Sequence, residues 1–192
     1  MSNKTTLTQL KAELVARIAK LELLLQPTEP KILFTIEAPG YLPVMMQSYK
    51  DRIVDLFRKC QKKDTTLNRT HSIKIEGEIN SEGDSDDAAC NLRFHASDGW
   101  GWADFRLQMM PGCCKMLVSH YTGVNGTTWE RQGWGSLMQD IKEDIARYVG
   151  ASSIIATVVK GNIAEEACLK KHGWKRVSFF DKNRLAVWQK NL

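Results

Sequence analysis

Residues 129–150 read WERQGWGSLMQDIKEDIARYVG. Gly133 and Gly135 stand one residue apart, after an apolar run that reads as a strand and at the start of a patterned helix. Glycine carries no Cβ to hold a ligand off the backbone, and the first turn of a helix offers unpaired N–H groups at the positive end of its dipole. The pattern therefore predicts either an anion site, with phosphate the first candidate, or a bare structural turn. Along the helix Leu137, Met138, Ile141, Ile145 and Tyr148 form one apolar face, Gln139, Lys142, Glu143 and Arg147 form the other, and Gly150 ends it.

Downstream, SIIATVV (153–159) reads as a buried strand, and Asn162 with Glu165 makes a capping box for a last helix that stops at Gly173. Closing strands are expected over 174–180 and 185–189, joined by a DKN turn. Upstream, KILFTI (31–36) is a strand and the 3.6-residue recurrence of Met45, Tyr49, Ile53, Leu56, Phe57 and Cys60 a helix. SIKIEGEI (72–79) alternates cleanly. With 90–96, 100–110 and 114–124 it predicts an antiparallel meander, and the acidic loop NSEGDSDDAA reads as a solvated connection rather than a metal site. Trp100 and Trp102 read as core or pocket-wall aromatics, with a base-stacking platform as the alternative. The whole order predicts an α+β, mixed α/β fold: a central, mostly antiparallel sheet flanked by helices.

An extra amphipathic helix precedes this domain over 7–25. Leu7, Leu14 and Leu21 recur every seven residues, Ile18 and Leu25 supply most of a second seam, and Thr6 with Gln9 would cap it before Pro27 and Pro30. The division expected is 1–26 for a helix suited to a coiled coil and homodimer, and 31–192 for the catalytic or binding domain. The alternative is a helix that packs on its own domain.

The 192 residues, 43% hydrophobic and 26% charged, suit one folded domain with an appendage. No run approaches the roughly 20 apolar residues of a membrane span, and the polar start is unlike a secretory signal, so no membrane partner and a cytoplasmic location are expected. Five cysteines without zinc spacing read as free thiols, and no metal is expected. Lys160 to Leu192 holds eight Lys or Arg against three acids, and so carries the whole formal charge of +5. That basic third suits a polyanionic ligand, or is a solvated face; a nucleic acid is one candidate ligand.

Together, the strand ending Thr122-Gly123-Val124, the loop Glu130-Arg131-Gln132-Gly133-Trp134-Gly135 and the eleven-residue spacing from Asn162 to Gly173-Trp174 resemble the GNAT superfamily of acyl-CoA-dependent N-acetyltransferases. The resemblance covers roughly Cys114 to Gln189. It implies acetyl-CoA as co-substrate, transfer of its acetyl group to an amine-bearing acceptor, and a cofactor site made of Val124, Arg131, Gln132, Gly133, Trp134, Gly135, Ser136 and Asn162. Val124 and Asn162 would hold the pantetheine arm and the loop amides the pyrophosphate.

Two positions depart from the family pattern. Glu130 stands where Arg or Gln is usual, and Leu169 occupies the place of the tyrosine that commonly protonates the departing thiolate. The acid is then Tyr121 or solvent, or the chain is a catalytically silent binding module. For the base, His120 is the candidate, because strand parity with Val118, Thr122 and Val124 puts it on one face near the cleft. His95 and Asp98 are further entries whose face the pattern leaves open, and His172 reads as a helix C-terminal residue.

Overall fold

The computed structural model describes residues 7–25, 32–37, 42–62, 71–79, 90–109, 115–182 and 184–192. Thr6, Pro27, Pro30, the 80–89 loop, Cys113, Cys114, Asn183 of the DKN turn and the side chain of Tyr121 lie outside the described residues. The elements run α1 (Leu7–Leu25), β1 (Ile32–Glu37), α2 (Leu42–Ser48), α3 (Lys50–Lys62), β2 (His71–Ile79), β3 (Cys90–Ser97) and β4 (Trp102–Met109). They continue with β5 (Met116–Asn125), α4 (Trp134–Tyr148), β6 (Ser153–Val159), α5 (Ile163–Lys171), β7 (Lys175–Phe180) and β8 (Leu185–Asn191). The eight strands form one sheet in the order β1-β2-β3-β4-β5-β6-β8-β7. Of its pairings, β1–β2 and β5–β6 are parallel and the others antiparallel, so the expected α+β arrangement and the β2–β5 meander are present.

Alternation sorts the side chains onto two faces. Ile73, Ile75, Leu92, Phe94, Ala103, Phe105, Ile154 and Trp188 are buried on one of them, with Phe94 stacked on Phe105 at 5.1 Å. Three helices cover that face. Phe57 of α3 meets the His71 ring edge-on at 4.5 Å, Lys142 of α4 stands over Phe105, and Lys170 of α5 over Trp188. The opposite face of β3 and β4 carries Arg93, His95, Trp102, Asp104, Arg106 and Gln108. Trp100, expected in the core or a pocket wall, is instead 79% exposed on the turn between those strands.

One further expectation changes, and two features lie beyond what the sequence pattern addressed. The single helix over the second apolar pattern is two, α2 and α3, because the Tyr49 N–H closes a tight turn on the Met46 carbonyl at 3.1 Å before α3 resumes. Most of the polar side of α4 is buried: Gln139, Lys142 and Glu143 are 0%, 1% and 8% exposed while Arg147 is exposed, because α4 is flanked by α3 through Arg52–Asp140 and on the α5 side by His172–Asp140. And β8 inserts between β6 and β7, which nothing in the two closing apolar runs specified. On α1, Leu10, Leu14, Val15, Ile18 and Leu21 are all exposed.

Candidate active site

The site is organised by one parallel strand pair that parts. β5 pairs with β6 from Met116↔Ser153 to Ser119↔Ala156, although β5 continues to Asn125 and β6 to Val159. Beyond Ser119 the β6-facing backbone edge of β5 is released, while its other edge stays paired to β4 as far as Asn125. Such an edge presents N–H and C=O groups with no ladder partner on that side, suited to an extended ligand arm.

The cleft that results has a volume of about 580 Å³. Thr122, Gly123 and Val124 line it from β5, Arg131 and Gly133 to Ser136 from the loop and the start of α4, and Asn162, Glu165 and Cys168 from the α5 side. The structure thus brings together Val124, Arg131, Gly133, Trp134, Gly135, Ser136 and Asn162. Gln132 is not among the lining residues; its side-chain amide turns back to donate to the Glu130 carbonyl at 2.8 Å. None of the lysines and arginines between Lys160 and Leu192 lines the cleft, and Lys190 is engaged by Glu143 and by the His172 carbonyl.

The start of α4 is built for an anion. Gly133 is its N-cap, with φ 110° in the left-handed region, and no side chain caps the helix. The first helical bond is made by the Leu137 N–H to the Gly133 carbonyl, which leaves the amides of Trp134, Gly135 and Ser136 at the cleft. A Cβ on Gly135 would stand 3.3 Å from Cys168 Sγ, so a side chain there would crowd the floor. Aromatic packing holds the loop: Trp129 stacks on Trp134 at 4.6 Å, Trp134 Nε1 donates to Cys60 Sγ at 3.4 Å, and Trp129 Nε1 donates to Asp98 at 2.9 Å. Asp98 also accepts the Trp100 and Gly101 amides, which makes it a structural anchor of the turn rather than a catalytic group. Asn162 caps α5 by accepting the Glu165 N–H at 3.2 Å.

His120 does not lie where strand parity put it. The β4–β5 register pairs Arg106 with Tyr121 and Leu107 with Ser119, so His120 is the extra residue of a bulge. The bulge reverses the alternation. Thr122 and Val124 share a face with Ser119, whereas His120 turns to the opposite face and meets Gln108 Oε1 through Nε2 at 2.9 Å. Tyr121 sits in the same bulge, across from Arg106.

On that opposite face is a second cleft, of about 560 Å³, lined by Arg93, His95, Trp102, Asp104, Arg106 and His120. The buried carboxylate of Asp104 accepts from Arg93 Nη2 at 2.7 Å and lies 3.0 Å from His95 Nδ1. Because an ionised carboxylate oxygen only accepts, the neutral imidazole in this pairing carries its proton on Nδ1 and its lone pair on Nε2. The two clefts adjoin through Gly123, which lines the first and is the cross-strand partner of Asp104 in the second. Neighbours so paired are about 5 Å apart, and a glycine puts no side chain between them. The residue pattern alone did not signal the His95–Asp104 pairing: β3 and β4 close on Ser97↔Trp102 around a four-residue turn, 98–101, and that turn length sets His95 opposite Asp104.

Leu169 is fully buried in the core, and its neighbour Cys168, whose thiol burial pushes up, faces the first cleft together with Glu165. Behind the cleft Lys142 is bonded to the Thr122 hydroxyl, and Thr122 Oγ1 is 3.3 Å from Ser119 Oγ.

No protein-family model matches the chain, and no curated protein matches it. Solved structures do match over about half of it. An IAA acetyltransferase from Bacillus cereus is 16% identical, over 53% of this chain and 78% of its own, with a TM-score of 0.46. A GNAT-family acetyltransferase from Streptococcus pneumoniae is 15% identical over 58% and 71%, with a TM-score of 0.42. A Bacillus subtilis acetyltransferase in complex with CoA is 14% identical over 53% and 77%, with a TM-score of 0.41. Among the described residues no helix is long and apolar enough to cross a membrane.

Proposed function

We propose that the protein is an N-acetyltransferase that holds acyl-CoA in the cleft between β5 and β6 and an amine acceptor in the cleft on the other face of β4 and β5. The observation that carries this reading is the parting of β5 from β6 after Ser119, with the uncapped amides of Trp134 to Ser136 at one end of the gap and Gly123 beside Asp104 on the way to the other face. The cleft fits the co-substrate: the released edge of β5 suits the pantetheine arm, and the helix start suits the pyrophosphate.

Acyl-CoA supplies an activated acyl carbon and a good leaving group. The chain supplies position, a base and protection from water. His95 is assigned as the base in place of His120: Nε2 accepts the proton of the attacking amine, and Asp104 fixes the tautomer and stabilises the imidazolium formed. His120 lines the same cleft as a positioning residue through Gln108.

The test is acetyl-CoA titration by thermal shift, followed by measurement of CoA-thiol release across a panel of amines. Stabilisation by acetyl-CoA and thiol release with at least one amine are expected. Stabilisation without release from any amine would leave a silent binding module, and no stabilisation by any acyl-CoA would refute the reading altogether.

A further inference from the structure

We propose that Lys142, acting through the Thr122 hydroxyl, is the proton source for the sulfur released in acyl transfer. This rests on the reading of the β5–β6 cleft as an acyl-CoA site. The leaving sulfur of a thioester needs a proton, and the α5 position that the tyrosine would occupy is filled by core Leu169.

Lys142 is 1% exposed, and an ammonium so placed is costly unless it is compensated. Among the described residues its polar contact is the Thr122 hydroxyl rather than a carboxylate, with the Phe105 ring 5.2 Å away. That is poor compensation for a residue kept only for stability. Burial pulls Lys142 down to about 8, opposed by Glu165 and Cys168 across on α5. Those two are the titratable groups that face it; β4 and β5 present Phe105 and Thr122. One turn earlier on α4, Gln139 is fully buried with neither amide atom bonded among the described residues, so a polar stripe runs beneath the cleft where an apolar one would pack better.

The position of Thr122 gives the lysine its route. Thr122 lines the cleft and is linked to Ser119, the last β5 residue paired with β6, so the chain Lys142–Thr122–Ser119 lies at the point where the strands part. As the carbon–sulfur bond breaks with its electron pair on sulfur, Thr122 gives its hydroxyl proton to the sulfur and takes one from Lys142 Nζ. Lys142 is left neutral, and the proton lost by the amine rests on His95. Solvent returns a proton to one and removes it from the other.

The test uses CoA itself bound to the full chain, with the thiol titrated by its ultraviolet thiolate absorbance. A cation one hydroxyl away should lower the ionisation of bound thiol by about one to two pH units relative to free CoA. Lys142→Met and Thr122→Val are expected to abolish that shift, Thr122→Ser to preserve it, and Lys142→Met to lower kcat more than it changes KM for acetyl-CoA. If wild-type protein binds CoA and neither Lys142→Met nor Thr122→Val moves the bound thiol, the relay is wrong while the cleft reading stands. If wild-type protein does not bind CoA, both fall together.

Discussion

His95 Nδ1 lies 3.0 Å from Asp104 Oδ2, and Gly123, on the strand bordering the other cleft, is the residue directly across from Asp104. One carboxylate therefore orients an imidazole on one side of the sheet within a strand's width of a gap on the other. Substituting His95 by Gln should cut kcat by a factor of about 10² to 10⁴, the range for losing a general base. His120→Ala should cost far less, and Asp104→Asn should fall between. Steady-state kinetics on the three variants check this; a larger loss from His120→Ala than from His95→Gln would return the base to His120.

Gly133→Ala places a Cβ on a residue at φ 110°, 3.4 Å from Leu56 Cδ2. Left-handed strain of this kind costs about 1 to 3 kcal/mol. The variant should melt at lower temperature and bind CoA roughly tenfold more weakly, since about 1.4 kcal/mol at the helix start is a factor of ten. Calorimetry of CoA binding reads the second effect separately from the first.

Lys142 has a folded-state value of about 8 against 10.5 for the ordinary group. Between those pH values the unfolded chain holds the proton and the folded one does not, so stability rises with pH across that window and the full cost of the buried charge is felt below it. The size is on the order of 3 kcal/mol. Lys142→Met should therefore melt above the wild type at pH 7, with the gap closing as pH climbs from about 8 to about 10.5. Melting curves across that range decide it, and a gap that does not change with pH would mean the lysine is not the origin.

Arg93 and Arg106 stand directly opposite each other on β3 and β4. Like charges so paired repel, and Asp104 is committed to Arg93 and His95. Amines that also carry a carboxylate or phosphate should be better acceptors than polyamines. Arg106→Ala should raise KM for such an acceptor with little change in kcat, and added salt should act in the same direction. A polyamine with the highest kcat/KM in the panel would count against it.

Much of this molecule was legible in its residues because the signals are local. Glycines at 133 and 135 opening an amphipathic run, an Asn-x-x-Glu cap at 162 and 165, and alternation over 72–79 each report the backbone within a turn or a pleat. They were enough to name the sheet-and-helix class and most element bounds; the residues that line the β5–β6 cleft, Gln132 not among them, were implied by the family resemblance rather than by these local signals.

What stayed hidden depends on register and on neighbours far along the chain. One extra residue at His120 inverts every side chain after it, and a bulge leaves no mark in an apolar pattern that alternates on both sides of it. The polarity of the helix face bearing Gln139 and Lys142 is intrinsic to its residues, whereas its burial is decided by α3, α5 and the sheet closing around it. The amino-acid sequence by itself determined most strands and helices and the glycine turn that opens α4, each a matter of local propensity and periodicity. Only the tertiary structure decided where β5 leaves β6, which histidines face the second cleft and which lysine lies behind the β5–β6 cleft. These follow from strand pairing and packing between segments distant in the chain, the non-local contacts that loop closure must bring together.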